Sequence, residues 1–387
     1  MMLEYSKTMK LWWLGLFCGA ALAINFQDAN RDVENLVGFG PRVSGSQNLE
    51  RAANYLVGEY KKIGANASIE TFSFERLRDL GSSVTVAGKR LEADTLYSSN
   101  ISDIEALAIR IPNFGSRADY QGLDLKSRIA VVKRGGITFL EKARAALEAG
   151  AVGVVLVNSV AGRLSANFLG DFQIPVLAVS GIDGAVLLEA NQVRVRLISE
   201  VRRVAVTGRN VVAKFSSEPP KLILGGHFDS VPGSPGANDN ASGTAAILEI
   251  ARRLAPERLK QIWFVSFDAE EDGLIGSNAF VQALPTKTLD GLEAMLNFDM
   301  VAVNNKMSVG GSSKLTDLVR GIRPDIGQFN DFAGSDHASF LAENVPAVFF
   351  WRGYEPNYHL PADSKVNPQL LEDTVQLGLE TVKRLLP

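Results

Sequence analysis

From about Asn210 to the end of the chain, short apolar runs alternate with stretches of helical periodicity. Lys221–Leu224 (KLIL), Gln261–Phe267 (QIWFVSF), Ala294–Phe298 and Ala347–Trp351 read as buried strands. Gly243–Leu254, Ser277–Leu284, Lys314–Ile322 and Gln369–Leu386 read as the helices between and after them. Strands that alternate with helices pair in parallel, because each crossover helix returns the chain to the same end of the sheet. The expected class is therefore α/β, with a mixed, largely parallel central sheet and helices on both faces.

The chemistry-bearing residues fall where such a sheet collects ligands, outside the carboxyl ends of its strands. The chain has three histidines, His227, His337 and His359, all in this region. His227 and Asp229 follow the KLIL strand and two glycines, and Asp239 lies in the loop GANDNASG. Glu270 and Glu271 follow QIWFVSF, Asp299 ends the strand AMLNF, and His359 follows AVFFW within YHLPAD. Taken singly, each has a plain structural reading: Asp239 as the cap of the next helix, Glu270–Glu271 as a solvated face, Asp299 as a strand-end residue. Together they bring two imidazoles and at least four carboxylates to one edge, a repulsive set without cations. Imidazole and carboxylate ligands without thiolate suit Zn²⁺ or a similar divalent ion. The acid count exceeds the three protein ligands that one tetrahedral zinc needs, so a second metal is expected. His337, in GSDH, is read equally as a neighbour of the cleft or as a structural histidine.

The segment from about Ser82 to Val204 has a different texture. Short apolar strands at Arg128–Val132, Val152–Val157 and Ile174–Val179 surround one helix at Phe139–Ala149, and the segment holds no histidine. It reads as a small β-rich domain of its own. Before it, Asn48–Ile63 places Leu49, Ala52, Ala53, Leu56 and Tyr60 on one helical face, and Gly64 ends the helix. The loop GPRVSGS lies ahead of that helix.

At the N-terminus, Lys7 and Lys10 precede the apolar run Leu11–Ala23, which ends in Ala21-Leu22-Ala23. This is the pattern of a cleavable export signal, and thirteen apolar residues fall short of the roughly 20 that span a bilayer. The expectation is an extracytoplasmic protein, secreted or periplasmic, with no stable membrane association after cleavage. The one cysteine, Cys18, lies in that run, preceded by Leu16-Phe17 rather than the small residues of a lipidation site. The mature chain then has neither disulfides nor thiolate chemistry. A net charge of −3 without a basic block excludes a counterion-release mode of nucleic-acid binding.

The segments GGHFDSVPGSPGANDNASG, FDAEEDGLIGS, NFDM, GSDHASF and YHLPAD resemble the co-catalytic zinc exopeptidases, metallopeptidase family twenty-eight. That family includes bacterial leucyl aminopeptidases, aminopeptidase Y, carboxypeptidase Q and glutamate carboxypeptidase. The middle segment, KSRIAVVKRGGITFLEKARAALEAGAVGVVLVN with IPVLAVS, resembles a protease-associated domain, a common insertion in these enzymes. The resemblance implies a signal peptide at 1–23, a catalytic domain in two pieces, 24–84 and 206–387, and an insert at 85–205. It implies two Zn²⁺ ions, one on His227 and Asp299 and the other on Glu271 and His359, with Asp239 between them. Glu270 is the implied general base on a metal-bridged water, Asp229 the residue that orients His227, and Tyr358 the group that steadies the oxyanion. The Asp239–Asn240 peptide resembles one that is cis in the family. Asn344, in LAENVPAV, stands where a glycine is common.

Peptides are the implied substrates. A cleft rich in carboxylates suits a free α-amine and so favours hydrolysis of the N-terminal peptide bond. The alternatives are a carboxypeptidase or dipeptidase, for which Arg320, Arg323 and Arg352 are available to a substrate's acids. Further alternatives on similar folds are glutaminyl cyclase, which works with one zinc, and a non-catalytic receptor-like module.

Overall fold

The four apolar runs form strands Leu222–His227, Ile262–Phe267, Ala294–Phe298 and Ala347–Trp351, paired in parallel and buried almost throughout. Strands with both faces covered read as continuous hydrophobic segments, which is how they stand in the sequence. The computed structural model describes residues 27–97, 101–159, 161–162, 172–189, 192–330 and 334–387. The apolar segment at 1–23 with Cys18 therefore lies outside the described residues. No helix among the described residues is long and apolar enough to cross a membrane.

Among the described residues the first sheet has eight strands, in the order Asn66–Asp79, Val201–Lys214, Ile262–Phe267, Leu222–His227, Ala294–Phe298, Ala347–Trp351, Ser308–Gly311 and Gly327–Gln328. Alternation along each strand divides its side chains between two cores. Leu222, Leu224, Leu296 and Phe350 pack with Leu49, Leu56, Ile247, Ile250, Leu371 and Val375 from helices Gln47–Lys62, Ser242–Arg253 and Pro368–Leu385. Ile223, Val265, Phe267 and Met295 face the other way, against Phe280 and Phe340 of helices Ile275–Ala283 and His337–Ala342.

Helix Gln47–Lys62 buries the apolar face read from its sequence, and Ser46 caps it by accepting the Leu49 amide hydrogen. A buried ionic cluster ties the helices of the first core together. Arg252 meets Asp32, Glu59 and Glu249, and Arg253 meets Glu249 and Glu372. Close approach of helix Ser242–Arg253 to the sheet requires glycine. A Cβ on Gly243 would stand 1.9 Å from the Phe298 carbonyl oxygen, and one on Gly226 2.6 Å from the same atom.

Among the described residues the second sheet also has eight strands, in the order Lys89–Glu92, Ser83–Val86, Val193–Ser199, Ser102–Arg110, Ile129–Lys133, Gly153–Val157, Val176–Val179 and Asp94–Tyr97. Helix Phe139–Glu148 covers one face, and a second helix, Gly181–Glu189, contributes Leu187 to the other. The two sheets are joined by an antiparallel pair in which Asn66–Asp79 and Val201–Lys214 stay in register for 14 residues each.

Candidate active site

The carboxylates singled out in the sequence, with the imidazoles of His227 and His359, meet outside the carboxyl ends of the parallel strands. His227 is the last residue of its strand, and Asp229 lies two residues on. Asp239 sits in the turn Ala237–Ala241, fully buried, with a cis peptide to Asn240. Residues with positive φ redirect the chain around these side chains: Ala269 (+58°) before Glu270 and Met300 (+52°) after Asp299, both just past strand ends, and His359 itself (+60°) in the loop beyond strand Ala347–Trp351. Non-glycine residues seldom occupy this region, and such strain concentrates where a loop must present a side chain.

Two triads share one carboxylate. His227 Nε2 lies 3.2 Å from Asp239 Oδ1 and 3.4 Å from Asp299 Oδ1. His359 Nε2 lies 3.1 Å from Asp239 Oδ2 and 3.1 Å from Glu271 Oε2. In each triad, one potential ligand atom per residue lies within 4.8 Å of the others. The buried atoms His227 Nε2, His359 Nε2, Asp299 Oδ1 and Glu271 Oε1 have no hydrogen-bond partner among the described residues. Orphaned donor atoms that converge in this way fit a divalent ion in each triad, and nitrogen with oxygen ligands fits zinc.

The surrounding residues fix this geometry. The Asp229 carboxylate is 3.3 Å from His227 Nδ1 and also accepts the backbone amides of Glu270 and Glu271, at 3.3 and 3.2 Å. Glu270 Oε2 is 3.9 Å from His227 Nε2. Ser335 donates to Asp299 Oδ2 at 2.8 Å and accepts from Asn297 Nδ2 at 2.8 Å. Arg42, fully buried, donates to the carbonyls of Phe228, Pro235 and Gly236, and so shapes the loop that carries Asp229 toward Asp239. Tyr358 stacks on the His359 ring at 3.8 Å between centroids.

The electrostatics are those of a site built around positive charge. Burial pushes Glu270 well above the ordinary carboxylate range, reinforced by Glu271 and Asp299 and opposed by His227, and it raises Glu271 to about 7. Burial also raises Asp336, which hands no atom to either triad, to about 7. Burial disfavours charge on the imidazoles, yet the Glu270 and Asp299 carboxylates hold His227 well above its usual range. Glu271 and Asp239 likewise hold His359 at about 10. Burial, with the charges of Asp239 and Glu271, pushes the Tyr358 hydroxyl well above its usual range, so it remains a donor.

His337 joins neither triad. It is buried at the start of its helix, with its ring 4.8 Å from that of Phe349. The three arginines considered for substrate acids are engaged elsewhere. Arg323 and Arg352 both pair with Asp373, and Arg320 donates to the Ile326 carbonyl and to Gln328. Arg42, Ser335 and Asp363 support the site without standing out in the sequence as candidate ligands. Ser335 and Asp363 lie inside the quoted segments GSDHASF and YHLPAD, whereas Arg42 sits in a loop that reads only as Gly/Pro/Ser-rich.

Fold and site together define a zinc-dependent metalloexopeptidase. Residues 210–381 match the model of peptidase family M28, and residues 102–187 match that of the PA domain. Aminopeptidase YwaD of Bacillus subtilis is 30% identical over 357 residues, covering 84% of this chain and 76% of its own. The probable lipoprotein aminopeptidase LpqL of Mycobacterium tuberculosis is 32% identical over 282 residues, covering 69% and 56%. Among solved structures, the zinc aminopeptidase BSAP from Bacillus subtilis superposes with a TM-score of 0.74 at 26% identity, covering 94% of this chain and 96% of its own. The aminopeptidase from Aneurinibacillus sp. strain AM-1 also gives 0.74 at 26%, covering 93% and 94%. The chain belongs to peptidase family M28.

Proposed function

We infer that the enzyme is an aminopeptidase that removes the N-terminal residue of peptides with two zinc ions. His227 and Asp299 would hold one ion, Glu271 and His359 the other, and Asp239 would bridge them. The observation that carries this reading is the carboxylate of Asp239, whose two oxygens face different imidazoles in two triads of otherwise unpartnered donors. When bound, zinc acidifies water and polarises a carbonyl.

The chain's own residues supply the remaining steps. Asp229, 3.3 Å from His227 Nδ1, is placed to take up a proton held on that nitrogen, which would leave the Nε2 lone pair for a metal. Glu270 takes the proton of the attacking water and returns it to the departing amine. Tyr358 donates to the oxyanion that develops on the scissile carbonyl. The surrounding acids suit a substrate's α-ammonium group, and the engagement of Arg320, Arg323 and Arg352 removes the arginines considered for a carboxypeptidase.

The domain organisation goes with this reading: a catalytic unit in two segments, 24–84 and 206–387, with 85–205 as the insert. Residues 1–23 are read as an export signal that delivers the enzyme outside the cytoplasm, and N-terminal sequencing of the exported protein tests it.

Glu270→Ala is the test of mechanism. The variant is expected to retain two zinc ions per chain by elemental analysis and to lose about 10²- to 10⁴-fold in kcat on leucine p-nitroanilide. Near-normal turnover rejects the role of Glu270, and one zinc per chain in the wild type rejects the two-metal site. Cleavage of N-acetylated peptides in preference to free ones reverses the assignment of the terminus.

A further inference from the structure

The second sheet brings one cation to the metal site. Arg134 follows strand Ile129–Lys133, and its Cζ lies 6.0 Å from the centroid of the Tyr358 ring, the ring stacked on His359. Its position is built rather than incidental. The Arg134 amide donates to the Val157 carbonyl at 2.9 Å, and Nη1 donates to Asn158 Oδ1 at 3.1 Å. The buried Lys142 ammonium donates to the carbonyls of Phe114 and Gly135 and fastens the turn beyond it. Asn158 also donates to the Gly162 carbonyl at 2.9 Å, and Gly162 borders Leu360, which follows His359. The edge of the insert therefore meets the loop that carries Tyr358 and His359.

Among the described residues, Asn158 is the only side chain hydrogen-bonded to the Arg134 guanidinium, and no carboxylate pairs with it. An arginine held beside a cleft of acids, with donors to spare and no carboxylate partner among the described residues, matches a carboxylate brought by the substrate. The spacing selects which one. An extended residue spans about 3.5 Å, and Arg134 Cζ and the His359 ring centre stand 6.0 and 3.8 Å from the centroid of the Tyr358 ring, which puts the guanidinium within about 10 Å of that imidazole. One or two residues beyond the scissile bond fill that gap, which puts the terminal carboxylate of a di- or tripeptide at the guanidinium.

We propose that Arg134 is a specificity residue that binds the free α-carboxylate of short peptides, so that the insert selects substrates by length. This rests on the aminopeptidase reading above and adds to it a preferred substrate class.

The experiment compares Leu-Gly with Leu-Gly-amide, which differ by that one charge. The wild-type zinc enzyme is expected to prefer the acid by about 10- to 100-fold in kcat/KM. In Arg134→Gln the acid-to-amide ratio falls close to one, and in Arg134→Lys, which keeps the charge but not the fork, it lies between. An arginine that served only as a strut between the sheets would lower both substrates together and leave the ratio unchanged. A wild-type ratio near one, or a ratio that survives in Arg134→Gln, overturns the proposal. Turnover of leucine p-nitroanilide by the wild type reports separately on the aminopeptidase reading. If that substrate is cleaved while the ratio shows no preference, only the role of Arg134 fails.

Discussion

Asp363 holds the backbone of Asp239 across 124 residues of sequence, its two carboxylate oxygens accepting the amide hydrogens of Asn238 at 2.8 Å and Asp239 at 3.1 Å. The turn that aims the shared carboxylate is thus fastened by the loop that carries His359. Asp363→Ala is expected to leave every candidate ligand in place and weaken zinc binding by about 10- to 100-fold, the usual cost of losing a partner that orients a metal ligand. Competition with a chromophoric chelator measures it, and unchanged affinity counts against the tie.

Arg252 sits among Asp32, Glu59 and Glu249 where helices Gln27–Gly38, Gln47–Lys62 and Ser242–Arg253 converge. Asp32 is fully buried, so removing the arginine strands a carboxylate away from water. Arg252→Ala is expected to lower stability by about 3–5 kcal/mol in urea unfolding. A loss below about 1 kcal/mol would place this cluster with ordinary surface pairs.

Asp373 binds both Arg323 and Arg352, and Arg352 in turn donates to the carbonyls of Val301, Asn304 and Asn305, just beyond Asp299. Partial burial opposes ionisation of Asp373, but the two guanidinium groups outweigh it and hold the carboxyl below its ordinary value. A lowered folded-state pKa means stability that is fully present above the unfolded value of about 3.9 and is lost as pH falls through the folded one. The stability gap between wild type and Asp373→Asn, read as a difference in urea midpoint, should be open at about pH 6 and narrow below about pH 4. A gap that does not change with pH refutes the coupling.

Asn344 shows why a glycine is common at its position. Its φ is +62°, a conformation that asparagine tolerates and β-carbon crowding denies to most residues. Asn344→Ala should be less stable than Asn344→Gly by about 1 kcal/mol, measured by thermal unfolding of both.

The parallel strands and the helices over them were readable because their signal is local. Leu49, Ala52, Ala53, Leu56 and Tyr60 are spaced for one helical face, and that face is buried. The paired strands Asn66–Asp79 and Val201–Lys214 gave no such signal, because both lie partly in solvent and their burial alternates between intermediate and exposed over much of their length. The candidate ligands stood out by residue type and by position after apolar runs. What presents them did not: Ala269, Met300 and His359 are unremarkable letters for positive φ, and Arg42 binds carbonyls 186 to 194 residues away. Arg134 was invisible for the same reason, since its meaning depends on where a second sheet rests.

The long two-stranded arm between the sheets carries a constraint on how such enzymes can change size. Arg76, on the arm, grips Asp272, the neighbour of Glu271. Successive side chains on a strand point to opposite sides. Adding or deleting a single residue between Arg76 and the root of the arm would turn the arginine outward and release the acid. Two residues more or fewer restore its side but move it about 7 Å along the strand, so the stretch from the root to Arg76 is fixed in length, and a chimera exchanging the outer module must make its joint beyond that arginine.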